Sequence, residues 1–120
     1  MNDFMRKAEG DGGMIMNDYQ QLAQRTANTK LPSTKIENGL LGLFGEDGEC
    51  ADTLKKYLYQ GHELDKGHMI EELGDVLWYC AELACGLGVT LDDVAQRNID
   101  KLKRRYPEGF DAERSRNRED

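Results

Sequence analysis

The sequence has almost no proline: two residues in 120, Pro32 and Pro107. Cysteine is scarce and odd in number. Cys50, Cys80 and Cys85 form no CxxC pair, and two of them fall on apolar helix faces, which reads as buried reduced thiols rather than a disulfide framework. No apolar run has the length of a membrane span and no signal peptide is visible, so the expectation is a cytoplasmic protein with no membrane partner. Positive charge is also short. The net charge of −7 argues against broad binding of nucleic acid through its phosphates. It leaves room for a small phosphorylated ligand held on a metal, because a cation inverts the local electrostatics.

What is present is helical periodicity. Apolar residues recur at helix rather than strand spacing, and the length suits one domain, so the fold class is all-α. The expected organisation is a flexible N-terminal arm over 1–13, a helical domain over 14–110 and a disordered polar tail over 111–120. A short helix is expected from about Asp18 to Asn28, with Pro32 in the turn after it. A second helix should open at Thr34, where Thr34 and Glu37 make a capping-box pattern, and run to Gln60 with Gly61 as its stop. Its apolar stripe is Ile36, Leu40, Leu43, Cys50, Leu54 and Leu58. A third helix should follow Asp65 as N-cap and end near Gly86 or Gly88, with Met69, Leu73, Val76, Leu77, Cys80, Leu83 and Leu87 inward and Glu71 and Trp78 outward. A fourth should follow Thr90, which with Asp93 repeats the capping pattern, and stop before Pro107.

Two of these helices carry paired acids. Glu46 and Glu49 lie along one edge of the second helix, Glu72 and Asp75 along one edge of the third, where Tyr79 and Glu82 continue the row. Residues three apart are neighbours on a helix face. An antiparallel hairpin of the two helices would bring four carboxylates into one cleft, where they repel unless a divalent cation sits among them. All-oxygen ligation suits Mg²⁺, with Mn²⁺ as a substitute. Asn98, Lys101 and Arg105 lie within or beside the apolar face of the fourth helix and suit phosphate oxygens. Acid, metal and base together point to a nucleotide polyphosphate. The bland alternative is an acidic bundle, a non-catalytic helical oligomerisation module whose carboxylates pair with Lys55, Lys56, Lys101 and Arg105. Asp65 and His68 make one DxxH, but a di-iron bundle needs an ExxH on each of two helices, and the chain has none. His62 and His68 read as solvent-facing, Lys56 as a solvated lysine and Glu82 as a surface acid or a supporting group. The outward Trp78 reads as an interface residue or a platform for a base. Gly39, Gly42, Gly45 and Gly48 read either as a kink or as room for a metal cluster.

Three stretches, GLFGEDGECADTLKK (42–56), EELGDVLWYCAELA (71–84) and NIDKLKRRYPEGF (98–110), resemble the MazG-like branch of the all-α nucleoside triphosphate pyrophosphohydrolases. The family pattern of ExxE followed by ExxD falls on Glu46, Glu49, Glu72 and Asp75, with 22 residues between the pairs. The resemblance spans about Gly39 to Phe110. Asp47 departs from it, at a place that is often small in relatives. The resemblance implies a four-helix bundle completed by oligomerisation as a homodimer or homotetramer. It also implies Mg²⁺-dependent hydrolysis of a nucleoside triphosphate to the monophosphate and pyrophosphate, a nucleotide-pool housecleaning activity. Glu46, Glu49, Glu72 and Asp75 would be the metal ligands and Glu49 the group that takes a proton from water. Asn98, Lys101 and Arg105 would hold phosphate, with Trp78 available to the base.

Overall fold

The structure is a computed structural model and describes residues 13–30 and 32–118. The expected arm over 1–13 lies outside the described residues except for Gly13. The described chain is helical: α1 (Met16–Ala23) runs on into a 3₁₀ turn (Gln24–Thr26), followed by α2 (Pro32–Tyr59), α3 (Lys66–Gly86), α4 (Leu91–Arg105) and a short α5 (Ala112–Arg116).

The helix ends follow local chemistry. Pro32 occupies the first position of α2, where a missing N–H costs nothing and its fixed φ already suits a helix. It displaces the expected start at Thr34, which lies inside the first turn. Gly61, at φ +71°, turns the chain out of α2, and the amides of Gln60 and His62 both return to the Lys56 carbonyl. Asp65 caps α3 by accepting from the His68 amide at 3.0 Å. At the other end, Val89 N–H donates to the Ala84 carbonyl and Gly88 N–H to that of Cys85, with Gly88 at φ +74°. These two bonds make a Schellman stop, which needs a left-handed residue.

The start of α4 leaves no orphan donor among its first four amides. Thr90 N–H donates to the Asp93 carboxylate, and Asp93 N–H donates to the Thr90 hydroxyl, the expected capping box. The amides of Leu91 and Asp92 instead donate to the side-chain oxygens of Gln20 and Asn17, at 2.7 and 3.0 Å. Gln20 also donates to the Val89 carbonyl at 2.9 Å. Two amide side chains of α1 thus fasten α4 to the rest of the fold.

The dominant packing is the antiparallel hairpin of α2 and α3, and glycine sets its closeness. A Cβ on Gly39 would come within 2.9 Å of the Leu83 amide nitrogen, and one on Gly86 within 2.9 Å of the Ile36 amide nitrogen. Gly42 lies against the ring of Tyr79, leaving no space for a side chain. Gly45 and Gly48 face open space. The glycine run therefore does two things: its first half admits the partner helix, and its second half leaves a cleft.

At the closed end of the hairpin Glu82 is 1% exposed. Its carboxylate accepts from Lys35 Nζ and Asn38 Nδ2, both at 3.1 Å, and Lys35 also donates to Gln24 at 2.6 Å. Expected as a surface acid or a supporting group, Glu82 is the centre of a buried polar network. Trp78 likewise does not point outward. Its indole N–H donates to the Ala23 carbonyl and the Thr26 hydroxyl, and the ring packs on the core of Ala23, Ala81, Ala84 and Leu91.

That core is small, and much of the predicted apolar stripe is uncovered. Leu40, Leu54, Leu58, Leu73 and Leu87 were expected inward and are exposed, as are Val94, Ile99 and Leu102 on α4. The hairpin has two faces, and α1 and α4 cover only one of them. The expected disordered tail contains α5, capped by Asp111, which accepts from Arg114 N–H at 3.1 Å.

Denaturation of single variants tests this packing. Gly39→Ala should lose roughly 1–3 kcal/mol through overpacking against a backbone that cannot yield. Gly48→Ala, in open helix, should gain up to about 1 kcal/mol. Glu82→Ala should lose roughly 3 kcal/mol by leaving the Lys35 ammonium without its buried counter-charge.

Candidate metal centre

The same register that seats Gly39 on Leu83 and Gly42 on Tyr79 continues down the hairpin. It sets Glu46 opposite Asp75 and Glu49 opposite Glu72. One carboxylate oxygen from each of Glu46, Glu72 and Asp75 lies within 4.8 Å of the others. Glu49 lies with Glu72 on the wall of the adjoining cleft. The structure thus groups three of the four acids of the sequence motif, Glu46, Glu72 and Asp75, and places Glu49 outside that group. Glu72 is buried, Glu46 half-buried, and Glu49 and Asp75 are exposed.

The acids are not neutralised by the neighbouring lysines. Lys55 and Lys56 both pair with Asp52, at 3.4 and 2.8 Å. One buried oxygen each of Glu46 and Glu72 meets no hydrogen-bond donor and has other carboxyls beside it. An orphaned carboxylate oxygen is costly, and two of them aimed into one acidic group fit a divalent cation that takes oxygen ligands, Mg²⁺ or Mn²⁺. The titration behaviour agrees. The hydrogen bond shared with Glu72, and then the Glu72 charge, hold Glu49 above the usual carboxylate range. Glu72 is raised chiefly by its hydrogen bond with Glu46.

A cleft of about 580 Å³ opens from Glu49 and Glu72 toward the turn between α2 and α3. Gly45 and Gly48 form part of its wall, with Asp52, Thr53, Lys56, His62 and His68. His62 and His68 are exposed, as expected, and both line this open cleft. His68 Nε2 stands 3.3 Å from Glu72 Oε1. The signal was present in the sequence as a histidine one turn before Glu72 on the same face. On the other side of the acids stands Tyr19 of α1, whose phenol is pushed up by burial and then by the Asp75 charge. No local pattern marks Tyr19, because it reaches the site through the fold.

The expected phosphate ligands lie elsewhere in the chain. Lys101 and Arg105 line a cleft of about 820 Å³ with Arg104 and Arg114, and Asn98 lines another with Val94 and Arg97. Neither cleft includes any of the four acids. Asn98 is exposed on α4, which leans on α1 and α3, buries Leu91 at its start and leaves Val94, Ile99 and Leu102 uncovered. Trp78 is braced against α1 and is not part of the acidic cleft's wall.

The raised carboxyls fix a sign. The folded, metal-free chain binds protons that the unfolded chain does not. That part of its stability is full below the ordinary glutamate pKa and is lost as pH rises through the elevated values. Mg²⁺ favours the ionised forms, so the Mg²⁺-induced rise in Tm should be larger at about pH 7 than at about pH 5. Thermal melts with Mg²⁺ and with EDTA at both pH values check this. An equal Mg²⁺ effect at both would show that the ion does not bind these carboxyls.

The chain matches the MazG nucleotide pyrophosphohydrolase domain over residues 34–110. The matched stretch holds nearly all of α2, all of α3 and α4, and the four acids. The chain is also 42% identical, over 73 residues, to the Gene 37 protein of Mycobacterium phage L5, an alignment that covers 58% of this chain and 64% of that relative. The chain therefore spans less than two-thirds of that relative's length. No solved structure matches it. With the domain match extending over well more than half its length, and with an all-helical fold, the chain belongs to the MazG nucleotide pyrophosphohydrolase family.

Proposed function

We propose that the chain hydrolyses a nucleoside triphosphate to the monophosphate and pyrophosphate with Mg²⁺ held by Glu46, Glu49, Glu72 and Asp75. The observation that carries this reading is the pair of buried oxygens on Glu46 and Glu72 that meet no hydrogen-bond donor, set among apposed acids at the head of an open cleft. A bound Mg²⁺ supplies charge on the phosphate oxygens and acidifies the attacking water. The protein's own groups do the rest. Glu49, exposed at the cleft mouth and held above the usual range, accepts the proton of the water that attacks the α-phosphorus. The bond from that phosphorus to the bridging oxygen breaks, and pyrophosphate leaves. Lys56, on the same cleft wall, offers an ammonium to the departing phosphates. The expected role is removal of aberrant nucleotides in the cytoplasm.

On this reading the site is completed by a second copy. Asn98, Lys101 and Arg105 are the phosphate-binding groups, and one chain keeps them in clefts apart from the acids. The apolar residues that a partner would cover are present on both elements: Val94, Ile99 and Leu102 on α4, and Leu40, Phe44 and Leu73 on the hairpin. Antiparallel assembly of two copies as a homodimer, or of two dimers as a tetramer, covers the open face of the hairpin and carries the basic face of one α4 to the acids of the other chain.

Pyrophosphate release from deoxy- and ribonucleoside triphosphates, with Mg²⁺ and with EDTA, tests the chemistry. Release should require Mg²⁺, and Glu49→Gln should lower kcat by roughly 10²–10⁴. If no triphosphate is turned over with either Mg²⁺ or Mn²⁺, the fold serves as an oligomerisation module and the hydrolase reading fails. Mixing Glu49→Gln with Lys101→Ala protein tests the shared site. Each variant alone should be weak, and hybrid dimers should regain activity, because one of their two sites then has both residues intact. No regain on mixing would put both residues in a site built by one chain.

A further inference from the structure

Half of the chain's 16 lysines and arginines lie between residues 97 and 118, against four of its 23 acids. The chain is acidic overall, at −7, and its last described stretch is basic. Charge set apart in this way bears on what the protein binds rather than on its fold. The stretch folds back on itself. The backbone turns at Gly109, at φ +93°, and the rings of Tyr106 and Phe110 pack at 5.6 Å. Arg114 of α5 then reaches back to donate to the Arg105 carbonyl at 3.5 Å. This fold-back forms the cleft of about 820 Å³. α4 supplies Lys101, Arg104 and Arg105 to its wall, and the residues after α4 supply Arg114 and Arg118. These five cations share the wall with two acids, and one of the two, Asp111, is taken up by the Arg114 amide as the cap of α5. Among the described residues Lys101 and Arg104 make no ion pair. α5 buries none of its residues, so apolar burial does not account for its place. What it does is set a guanidinium in the cleft of α4.

We infer that this cleft binds the terminal phosphates of the nucleoside triphosphate, and that Arg104 and Arg114 hold them together with Lys101 and Arg105. Both arginines add to the phosphate ligands read from the face of α4. Arg114 also lies beyond the matched domain, which ends at residue 110. Two linked phosphates present oxygens in several directions, and a single point charge meets only some of them. Guanidinium forks pair with phosphate oxygens two at a time, so arginines from two elements suit such a chain. One donor of Arg114 is spent on the Arg105 carbonyl, which steadies the side chain, and among the described residues the rest of its fork is uncommitted. The volume is that of a small-ligand site and larger than a single anion needs. The choice of ligand rests on the hydrolase reading above, while the cation cleft stands without it.

Inorganic pyrophosphate is the probe, and EDTA isolates the cleft. Without metal the four acids repel pyrophosphate, so any binding reports the cations alone. Calorimetry on the full chain would compare wild type, Arg104→Ala, Arg114→Ala and Lys66→Ala. Lys66 is an exposed cation at the start of α3, outside the cleft, and its removal measures diffuse attraction. Orthophosphate and a short single-stranded oligonucleotide would serve as comparison ligands. The expected result is saturable, metal-free binding of pyrophosphate, weakened roughly 10- to 100-fold in each arginine variant and unchanged in Lys66→Ala. In turnover the same two arginine variants should raise KM for the triphosphate. No binding of pyrophosphate by wild type in EDTA would overturn the inference, and so would arginine variants that bind it as wild type does. An equal loss in Lys66→Ala would reduce the cleft to general charge. Orthophosphate bound as tightly would make it a single-anion site, and the oligonucleotide bound more tightly would make it a nucleic-acid surface; either result overturns the assignment. Arginine-dependent pyrophosphate binding in a chain that hydrolyses no triphosphate removes the hydrolase and leaves a polyphosphate site. Hydrolysis without that binding removes the cleft alone.

Discussion

Everything at the site depends on how closely α2 can approach α3. Gly39 lets the backbone of α2 rest on Leu83, and Gly86 lets α3 rest on Ile36, so the two axes are held by main-chain packing rather than by large side chains. Close approach fixes the register, and in an antiparallel hairpin one fixed pair fixes all the others. Glu46 must then meet Asp75 and Glu49 must meet Glu72. The acids could not be brought together by attraction, since they repel. They are held by contacts several turns away, and the cost of their proximity falls on the hairpin as a whole. This is the usual separation between a rigid scaffold and a functional group kept in an unfavourable setting.

The two most buried acids of α3 show the difference between a carboxylate whose hydrogen-bonding capacity is met within the chain and one whose capacity is not. Glu82 is the more deeply buried, yet each of its oxygens has a donor, Lys35 or Asn38. Glu72 lies on the same edge of the helix, has a histidine beside one oxygen and no hydrogen-bond donor at the other, and faces further acids. Burial alone does not separate them. The supply of donors does, because a buried charge is tolerated only where its hydrogen-bonding capacity is met.

How much of this was legible in the sequence follows from the range of each interaction. Asp65, Thr90 with Asp93, and Gly61 act within a few residues, and their capping roles could be read directly. Thr34 with Glu37 has the same pattern, but Pro32 two residues earlier starts the helix first. The four acids could be read because two i,i+3 pairs in a hairpin have essentially one way to meet. The wheel also put Glu82 on the edge that carries Glu72 and Asp75. It could not show that Lys35, 47 residues earlier, covers that carboxylate, and so left it between a surface acid and a supporting group. Trp78 failed for the same reason, since its partners Ala23 and Thr26 belong to α1. The stripe on α2 was located correctly as apolar, but a wheel says which residues share a face and not what covers it. Asn98, Lys101 and Arg105 were read as phosphate ligands from their place on the face of α4, which could not show that one chain keeps them in clefts apart from the acids.

That last displacement and the thin core have one physical origin. A hairpin held by glycine contacts is narrow, and its second face needs cover that two short flanking helices do not supply. α1 spends its polar side chains, Asn17 and Gln20, on the amides of α4 rather than on apolar burial. α4 is thereby anchored at its N-terminus while Val94, Ile99 and Leu102 remain uncovered along its length. A helix tied at one end and apolar along its side is suited to reach across to another copy. On the proposed reading, the same assembly covers the bare leucines of the hairpin and brings cations to the phosphate end of the acidic cleft. Folding stability and site completion would then share one interface, so a substitution that weakens either should disturb the other.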